Sequence, residues 1–161
     1  DSRNPVVLQL IGAIYARLGQ PPKALEYMRK ARAAGSKDST LASQLALADL
    51  AQNNTAQGVQ ETLTLLKQKP GNPAPAIGGV DILVRQAKFA EAQTLADQAD
   101  KLSPKSPVPA FLKGQILFAQ HKPDAALPFI NQALQRDPHY EPALFARAQI
   151  ALGHRKFADA V

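Results

Sequence analysis

The sequence repeats itself every 34 residues without an insertion. Prolines recur at this spacing at Pro70, Pro104 and Pro138. Four further columns hold mostly small or aliphatic residues: Gly12, Ala46, Val80, Gly114 and Ala148; Ala24, Gly58, Ala92, Ala126 and Ala160; Ala31, Leu65, Ala99 and Ala133; and Ile14, Ala48, Ile82, Ile116 and Ile150. A fixed period of this length is typical of repeat proteins, in which each unit buries its apolar side against its neighbours.

Each unit is predicted to form two short amphipathic helices joined by a turn. Apolar residues recur at three- and four-residue spacing, as in Leu8, Ile11, Tyr15 and Leu18. Turns are predicted at Gly19-Gln20-Pro21-Pro22, Asn53-Asn54-Thr55, Gln86-Ala87-Lys88 and His121-Lys122-Pro123. Thr55 is expected to cap the helix that follows it. The prolines at the end of each unit should stop the second helix, because the residue before a proline disfavours helical geometry.

The columns of small residues indicate where helices cross closely. A side chain larger than Ala at such a crossing would push the two helix axes apart. The crossing helices can belong to one hairpin or to adjacent hairpins, and the sequence leaves both alternatives open.

Composition excludes several classes of site. The chain has no cysteine, so it has no disulfide, thiolate metal site or cysteine nucleophile. Its apolar runs are far shorter than the roughly 20 residues that a membrane helix needs. The net charge is +6, but the basic residues are scattered, and many lie near the ends of predicted second helices, where they complement the helix dipole: Arg29, Lys30, Arg32, Lys67, Lys69, Lys101 and Arg136.

No arrangement of residues predicts catalysis, a metal site or a cofactor. His121, His139 and His154 are all expected in turns or links, without a third ligand spaced to join them. Asp97 and Asp100 are expected on exposed helix faces, without a pocket that would raise a pKa for acid–base work. Nucleic acid is not expected either, because basic residues are not interleaved with aromatic residues on one face. We therefore predict a protein that is not an enzyme.

A 34-residue helix–turn–helix with Gly or Ala at its eighth position, Ala at the twentieth and twenty-seventh, and Pro at the thirty-second resembles the tetratricopeptide repeat. On this resemblance the repeats span residues 5–38, 39–72, 73–106 and 107–140, with a partial repeat at 141–161. The sequence departs from the family pattern at Asp49, where a buried aromatic residue is usual, at Gly78-Gly79 inside a first helix, and at Pro128 inside a second helix. We expect repeats two and three to be the softest and a bend near Pro128.

The resemblance implies an all-α fold, a right-handed α-solenoid whose first helices line a concave groove that binds a protein or peptide. The family's ligand-facing positions carry over to Arg17, Leu47, Ile77, Asp81, Val84, Arg85, Phe111, Gln115, Phe118, Phe145 and Gln149. The Lys and Asn set by which chaperone-binding relatives hold a terminal carboxylate is missing. Phe111, Phe118 and Phe145 are instead expected to converge and to make the groove apolar. The alternative is that these rings are part of the core.

Two stretches, Leu41–Ala48 and Pro138–Ala143, look more narrowly like the tetratricopeptide lipoproteins of the PEP-CTERM/exosortase system, which are associated with exopolysaccharide loci. This likeness implies a bacterial envelope or export scaffold in the periplasm or anchored to the outer membrane. The alternative is a cytoplasmic regulatory domain that senses a peptide. We also expect the chain to be part of a longer array, and to self-associate through exposed end repeats.

Overall fold

The structure is a computed structural model that describes residues 4–158, with side chains to residue 153. These residues form nine α-helices: α1 (Pro5–Arg17), α2 (Pro21–Ala33), α3 (Ser39–Ala51), α4 (Thr55–Gln68), α5 (Ala74–Arg85), α6 (Phe89–Leu102), α7 (Pro107–Ala119), α8 (Pro123–Arg136) and α9 (Glu141–Ala158). The predicted two-helix units are confirmed through residue 140. Three second helices, α4, α6 and α8, each end two residues before a proline of the 34-residue column.

The turn inside each hairpin has the same backbone geometry in all four complete repeats. One residue takes a positive φ: 66° at Gly19, 65° at Asn53, 56° at Ala87 and 58° at His121. The next N–H then bonds a carbonyl five residues back, as from Lys122 to Leu117 at 3.0 Å. This pattern is the Schellman motif, which satisfies carbonyls at the end of a helix.

The first helices also begin alike, because one column supplies a side-chain cap. Asn4, Asp38, Asn72 and Ser106 each accept the backbone N–H two residues later, at 2.9, 2.8, 3.1 and 3.3 Å. Such caps satisfy amide groups that have no partner within the helix. Reasoning from apolar columns does not reveal this cap, although its residues are visible in the sequence at the 34-residue spacing. Thr55 does not precede α4 as a cap but is its first residue.

Small residues of the first and second helices meet inside the hairpin. A Cβ added to Gly114 would lie 2.6 Å from Ile130 Cδ1 and 3.4 Å from the Ala126 carbonyl oxygen. A Cβ added to Gly58 would lie 2.9 Å from the Ala46 carbonyl oxygen. The eighth and twentieth positions therefore mark the crossing of the two helices of one hairpin, which resolves one alternative that the sequence left open.

The chain divides into two compact units, Asp1–Leu65 (unit 1) and Leu66–Val161 (unit 2). In unit 1 the buried residues Leu8, Ala31, Leu41 and Leu45 form a cluster that joins α1, α2 and α3. In unit 2 a cluster joins α7, α8 and α9 through Ala110, Ala126, Ile130, Ala133, Leu134, Ala143 and Ile150. Each unit thus buries the contact between consecutive hairpins.

The last helix differs from the prediction. His154 was expected in a turn, but α9 continues through it to Ala158. Ala160 and Val161, expected to begin the next helix, lie outside the described residues. α8 runs without interruption through Pro128, and the expected bend and softness stay predictions. Within residues 4–158 no helix combines the length and apolar character needed to cross a membrane.

Candidate functional site

A cavity of about 290 Å³ opens between α7, α8 and α9 in unit 2. Its lining comprises Phe111, Gly114, Gln115, Phe118, Ile130, Pro142, Phe145, Ala146, Gln149 and Ile150. Five residues predicted for the groove meet here, namely the three phenylalanines and the two glutamines. They come from α7 and α9 at three- and four-residue spacing, so that each helix presents them on one face.

The three phenyl rings have different surroundings. Phe111 is half-buried, packs on the core cluster and meets the Tyr140 ring edge-on, with 5.6 Å between ring centroids. Phe118 and Phe145 are 43% and 67% exposed. Phe111 is therefore partly a core residue, as the alternative interpretation of these rings expected. The rings of Phe118 and Phe145 are exposed at the cavity instead.

The polar groups of the cavity are neutral. Gln115 and Gln149 occupy the same position in consecutive repeats. Each amide can donate and accept hydrogen bonds, which matches the N–H and C=O groups of a peptide backbone. No charged residue belongs to the described lining. The cavity can therefore hold apolar side chains and bind neutral polar groups at its edge.

The remaining predicted residues lie elsewhere. Arg85 donates to the Asp81 carboxylate one turn earlier on α5, and Ile77 and Val84 lie on the same helix. Arg17 and Leu47 belong to α1 and α3 in unit 1. The structure does not bring these six residues into the unit 2 cavity.

Unit 1 contains a second cavity, of about 470 Å³, between α1, α2 and α3. It is lined by Ala16, Pro21, Ala24, Leu25, Met28, Gln44, Ala48, Ala51 and Gln52. Neither Arg17 nor Leu47 lines it. Ala16 and Ala51, which hold other ligand-facing positions of the family on α1 and α3, do line it, and α2 supplies Pro21, Ala24, Leu25 and Met28. A small residue at Ala16, where repeat four has Phe118, is the sequence signal that could have indicated open space.

Charged side chains link consecutive hairpins in unit 2. Asp100 of α6 pairs with Lys113 of α7 at 2.8 Å and with Arg136 of α8 at 2.7 Å, and Lys113 also contacts Asp97 at 2.9 Å. Arg136 donates in addition to the Ser106 carbonyl at 2.9 Å. The expectation of an exposed carboxylate is wrong for Asp100, whose side chain is 22% exposed and ion-paired. The Asp97 side chain is 46% exposed and also pairs with Lys113. Arg136 likewise joins two hairpins rather than only facing a helix end.

The network favours the charged forms of Asp100 and Lys113. Burial raises the pKa of Asp100, but hydrogen bonds from Lys113 and Arg136 outweigh it and hold that pKa below its usual range. Burial lowers the pKa of Lys113, but hydrogen bonds to Asp100 and Asp97 outweigh it and raise that pKa. A carboxylate held in its charged form does not serve as a general acid near neutral pH.

Unit 1 has the reverse charge arrangement at its own hairpin junction. Asp49 of α3 is only 1% exposed. It accepts hydrogen bonds from Arg29 of α2 at 2.5 Å and from the Asn54 amide at 3.2 Å. Arg32 of α2 lies 3.4 Å from Glu61 of α4. Arg29 and Arg32 occupy the repeat positions that Asp97 and Asp100 hold in unit 2.

The two histidines whose side chains are described give no sign of a metal site. His121 and His139 are exposed, in the hairpin turn and in the link before α9. Among the described residues no three His, Asp or Glu side chains come together in a way that could hold a metal ion.

Solved structures with tetratricopeptide repeats share this architecture. YrrB, described as a TPR protein with an unusual peptide-binding site, is 16% identical with a TM-score of 0.63, over 92% of this chain and 76% of its own. MamA from Desulfovibrio magneticus RS-1 is 14% identical with a TM-score of 0.58, over 94% of this chain and 96% of its own. A thermophilic TPR protein from Thermus thermophilus is 18% identical with a TM-score of 0.56, over 93% of this chain and 82% of its own.

No protein-family model and no curated protein matches the sequence. At these identities the likeness to solved structures bears on the backbone architecture. The chain therefore has the all-α fold of tetratricopeptide-repeat proteins, built from tandem helix–turn–helix units.

Proposed function

We propose that the chain is a non-catalytic interaction domain that binds an apolar peptide or helix in the unit 2 cavity. The observation that carries this proposal is the exposure of Phe118 and Phe145 on one open cavity. Exposed rings gathered around a concavity are typical of binding surfaces, because covering them removes apolar area from water.

The lining also indicates what kind of guest fits. Apolar side chains of the guest would pack between Phe118 and Phe145, while Gln115 and Gln149 would bind its backbone. Since the described lining has no cation, a free terminal carboxylate would gain no counter-charge there. The guest is therefore an internal, uncharged segment with bulky apolar residues. That YrrB is described as having a peptide-binding site supports a peptide guest on this fold.

The test starts from random-sequence peptides displayed on phage and selected on the intact chain. Fluorescence anisotropy then measures the affinity of the selected peptides. We expect uncharged sequences with aromatic or aliphatic anchors, and a loss of at least about tenfold in affinity for Phe118→Ala/Phe145→Ala, because exposed aromatic anchors dominate such interfaces.

A matched control is Leu144→Ala/Leu152→Ala, which removes two exposed apolar side chains of α9 outside the cavity lining. This variant should bind the selected peptides as the parent does. Equal losses in both variants, or selected peptides that depend on an acidic end, would contradict the proposal. Urea unfolding should show that both variants keep their stability.

We further propose that the domain acts in a bacterial envelope or exopolysaccharide export assembly, in the periplasm or anchored to the outer membrane. The support is the resemblance of Leu41–Ala48 and Pro138–Ala143 to the PEP-CTERM-associated lipoproteins. The competing proposal is a cytoplasmic regulatory domain that binds a peptide. Cell fractionation of the native protein decides between them, since recovery in the cytoplasm would contradict the envelope role.

Self-association through end repeats stays a prediction. The exposed Leu144 and Leu152 of α9 are the residues on which it would depend at the carboxyl-terminal end. Light scattering over a concentration series should show mass increasing with concentration, and Leu152→Lys should reduce that increase.

A further inference from the structure

The unit 1 cavity is larger than the unit 2 cavity for a reason that the repeat itself shows. Three repeats before Phe118 the chain has Ala16, and three repeats before Ile150 it has Ala48. Phe118 and Ile150 both line the unit 2 cavity, where Ile150 is buried in a cluster with residues of α8. In unit 1 a methyl group replaces each of these large side chains. Their absence accounts for a volume of about 470 Å³ against about 290 Å³ in unit 2.

The unit 1 cavity also carries neutral polar groups. Gln44 of α3 holds the position that Ala146 has in α9, and Gln52 is the residue that ends α3. Both line the cavity. Because Gln52 follows eight residues after Gln44, the two lie about 12 Å apart along the helix axis. Each amide can donate and accept hydrogen bonds, so a guest can find polar partners at two places.

The rest of the wall favours an uncharged apolar guest. Pro21, Leu25, Met28 and several alanines supply hydrocarbon, and within the described residues the lining includes no charged side chain. Water against such a wall has few partners, and an apolar group gains free energy by displacing it. A charged group would lose its hydration without gaining a counter-charge. Cavities of about 300–1,000 Å³ with a mostly apolar wall and a few polar groups are typical of small-molecule sites.

The surroundings of the cavity favour a small molecule over a peptide. In unit 2 the apolar lining is extended by Phe111 and Phe145. The same two positions in unit 1 hold Gln9 and Ser43, which do not belong to the cavity lining. An extended peptide would therefore bury one side chain in unit 1 without further aromatic anchors beside it. A compact molecule can place its apolar surface against the lining itself.

We propose that the unit 1 cavity is a binding site for a neutral small molecule with a compact apolar body and at least one hydrogen-bonding group. Ala16 and Ala48 leave the space for the apolar body, and Gln44 and Gln52 bind the polar group. The site belongs to unit 1 alone, and it does not depend on the peptide site proposed for unit 2.

Met28 allows the cavity to be observed directly, because it is the single methionine of the chain and lines the cavity. The intact chain is labelled with carbon-13 at the methionine methyl group and freed of the initiator methionine used for expression. It is titrated with a neutral probe, N-phenyl-1-naphthylamine, and with 1-anilinonaphthalene-8-sulfonate, which has the same rings and one added sulfonate. The shift of the Met28 methyl signal in NMR spectra gives the affinity of each probe.

The neutral probe should shift the Met28 signal until it saturates. The sulfonate probe should bind at least about tenfold more weakly, because the lining offers no cation in exchange for lost hydration. Ala48→Ile introduces the residue that the other repeats have at this position. It should weaken the neutral probe by at least about tenfold, because it removes apolar surface that the probe buries. Ala56→Ile, at an exposed alanine of α4 outside the lining, is the matched control and should bind as the parent does.

Two results would overturn the proposal at once: a Met28 signal that the neutral probe does not move, and equal affinities for the two probes. Unchanged affinity in Ala48→Ile would also overturn it. If thermal unfolding shows that this variant is not folded, Ala16→Phe takes its place, because it introduces the residue that repeat four has at Phe118.

The unit 2 site is separated from this one by a further variant. Phe118→Ala/Phe145→Ala should leave the Met28 titration unchanged, and a lost titration would overturn the assignment to unit 1. Phage-selected peptides that displace the neutral probe and themselves move the Met28 signal would assign the cavity to a peptide side chain and overturn the proposal. Peptides that bind without moving that signal agree with two distinct sites.

Discussion

Ion pairs connect consecutive hairpins within unit 1 and within unit 2, but the acidic and basic partners are exchanged between the two units. In unit 1 the second helix supplies the arginines and the following hairpin the carboxylates, one of them fully buried. In unit 2 the second helix supplies the carboxylates, and the following hairpin supplies their ion-pair partners, Lys113 and Arg136. The hairpin itself recurs with the 34-residue pattern, whereas the charged side chains at the junction change from one unit to the other.

The two junctions also differ in burial, and the first prediction uses that difference. Arg29→Met removes the guanidinium that pairs with the buried Asp49 carboxylate and leaves the hydrogen bond from the Asn54 amide. We expect unit 1 to lose about 3 kcal/mol of stability, because an uncompensated buried charge is costly. Adding Asp49→Leu should restore most of the loss, since Leu83 and Leu117 hold that position in later repeats. Urea unfolding measures both variants.

The corresponding change in unit 2 should cost less. Lys113→Met leaves Asp100 half-buried and still paired with Arg136 at 2.7 Å. We expect a loss of about 1 kcal/mol. A larger loss than that of Arg29→Met would show that burial of a single carboxylate is not what distinguishes the two junctions.

The second prediction compares the hairpin crossings of the two units. Ala126→Leu should cost about 1–3 kcal/mol, because Ala126 is fully buried at the crossing with Gly114. Ala24→Leu at the equivalent position should cost clearly less, since Ala24 lines the cavity of about 470 Å³ and the larger side chain can extend into it. If the two variants have equal urea midpoints, the cavity does not accommodate the larger side chain at position 24.

These comparisons show what the sequence could predict. The two-helix units through residue 140 follow from the period, because small residues and prolines act locally and recur from repeat to repeat. The aromatic members of the unit 2 cavity follow from their places on the first helices. The pairing of Arg29 with Asp49 and of Arg136 with Asp100 does not, because these residues are far apart along the chain and the charges reverse between repeats. The unit 1 cavity is reached only through Ala16 and Ala51, since small residues such as Ala24 and Ala48 in its wall look like ordinary core.

The third prediction concerns pH and the unit 2 network. The pKa of Asp100 is lowered by folding, so its contribution is present above about pH 4 and is lost as the pH falls through the lower folded value. The pKa of Lys113 is raised, so its contribution is present below about pH 10 and is lost as the pH rises further. Asp100→Asn should destabilise by about 1 kcal/mol at pH 7. The difference from the parent should shrink towards pH 3, which chemical unfolding at a series of pH values would detect.

The smallest expected effect concerns the hairpin turns, where unit 1 has a glycine and unit 2 does not. Ala87 adopts φ 56° at the position where Gly19 has 66°. A residue with a Cβ is destabilised by about 1–2 kcal/mol when its φ is in the left-handed region. Glycine avoids this strain, but it loses more backbone entropy on folding, which cancels part of the gain. Ala87→Gly should therefore stabilise the chain by about 0.5 kcal/mol, and Gly19→Ala should destabilise it by about as much. Thermal unfolding of both variants measures the difference, and a loss of stability in Ala87→Gly would show that the left-handed turn does not strain Ala87.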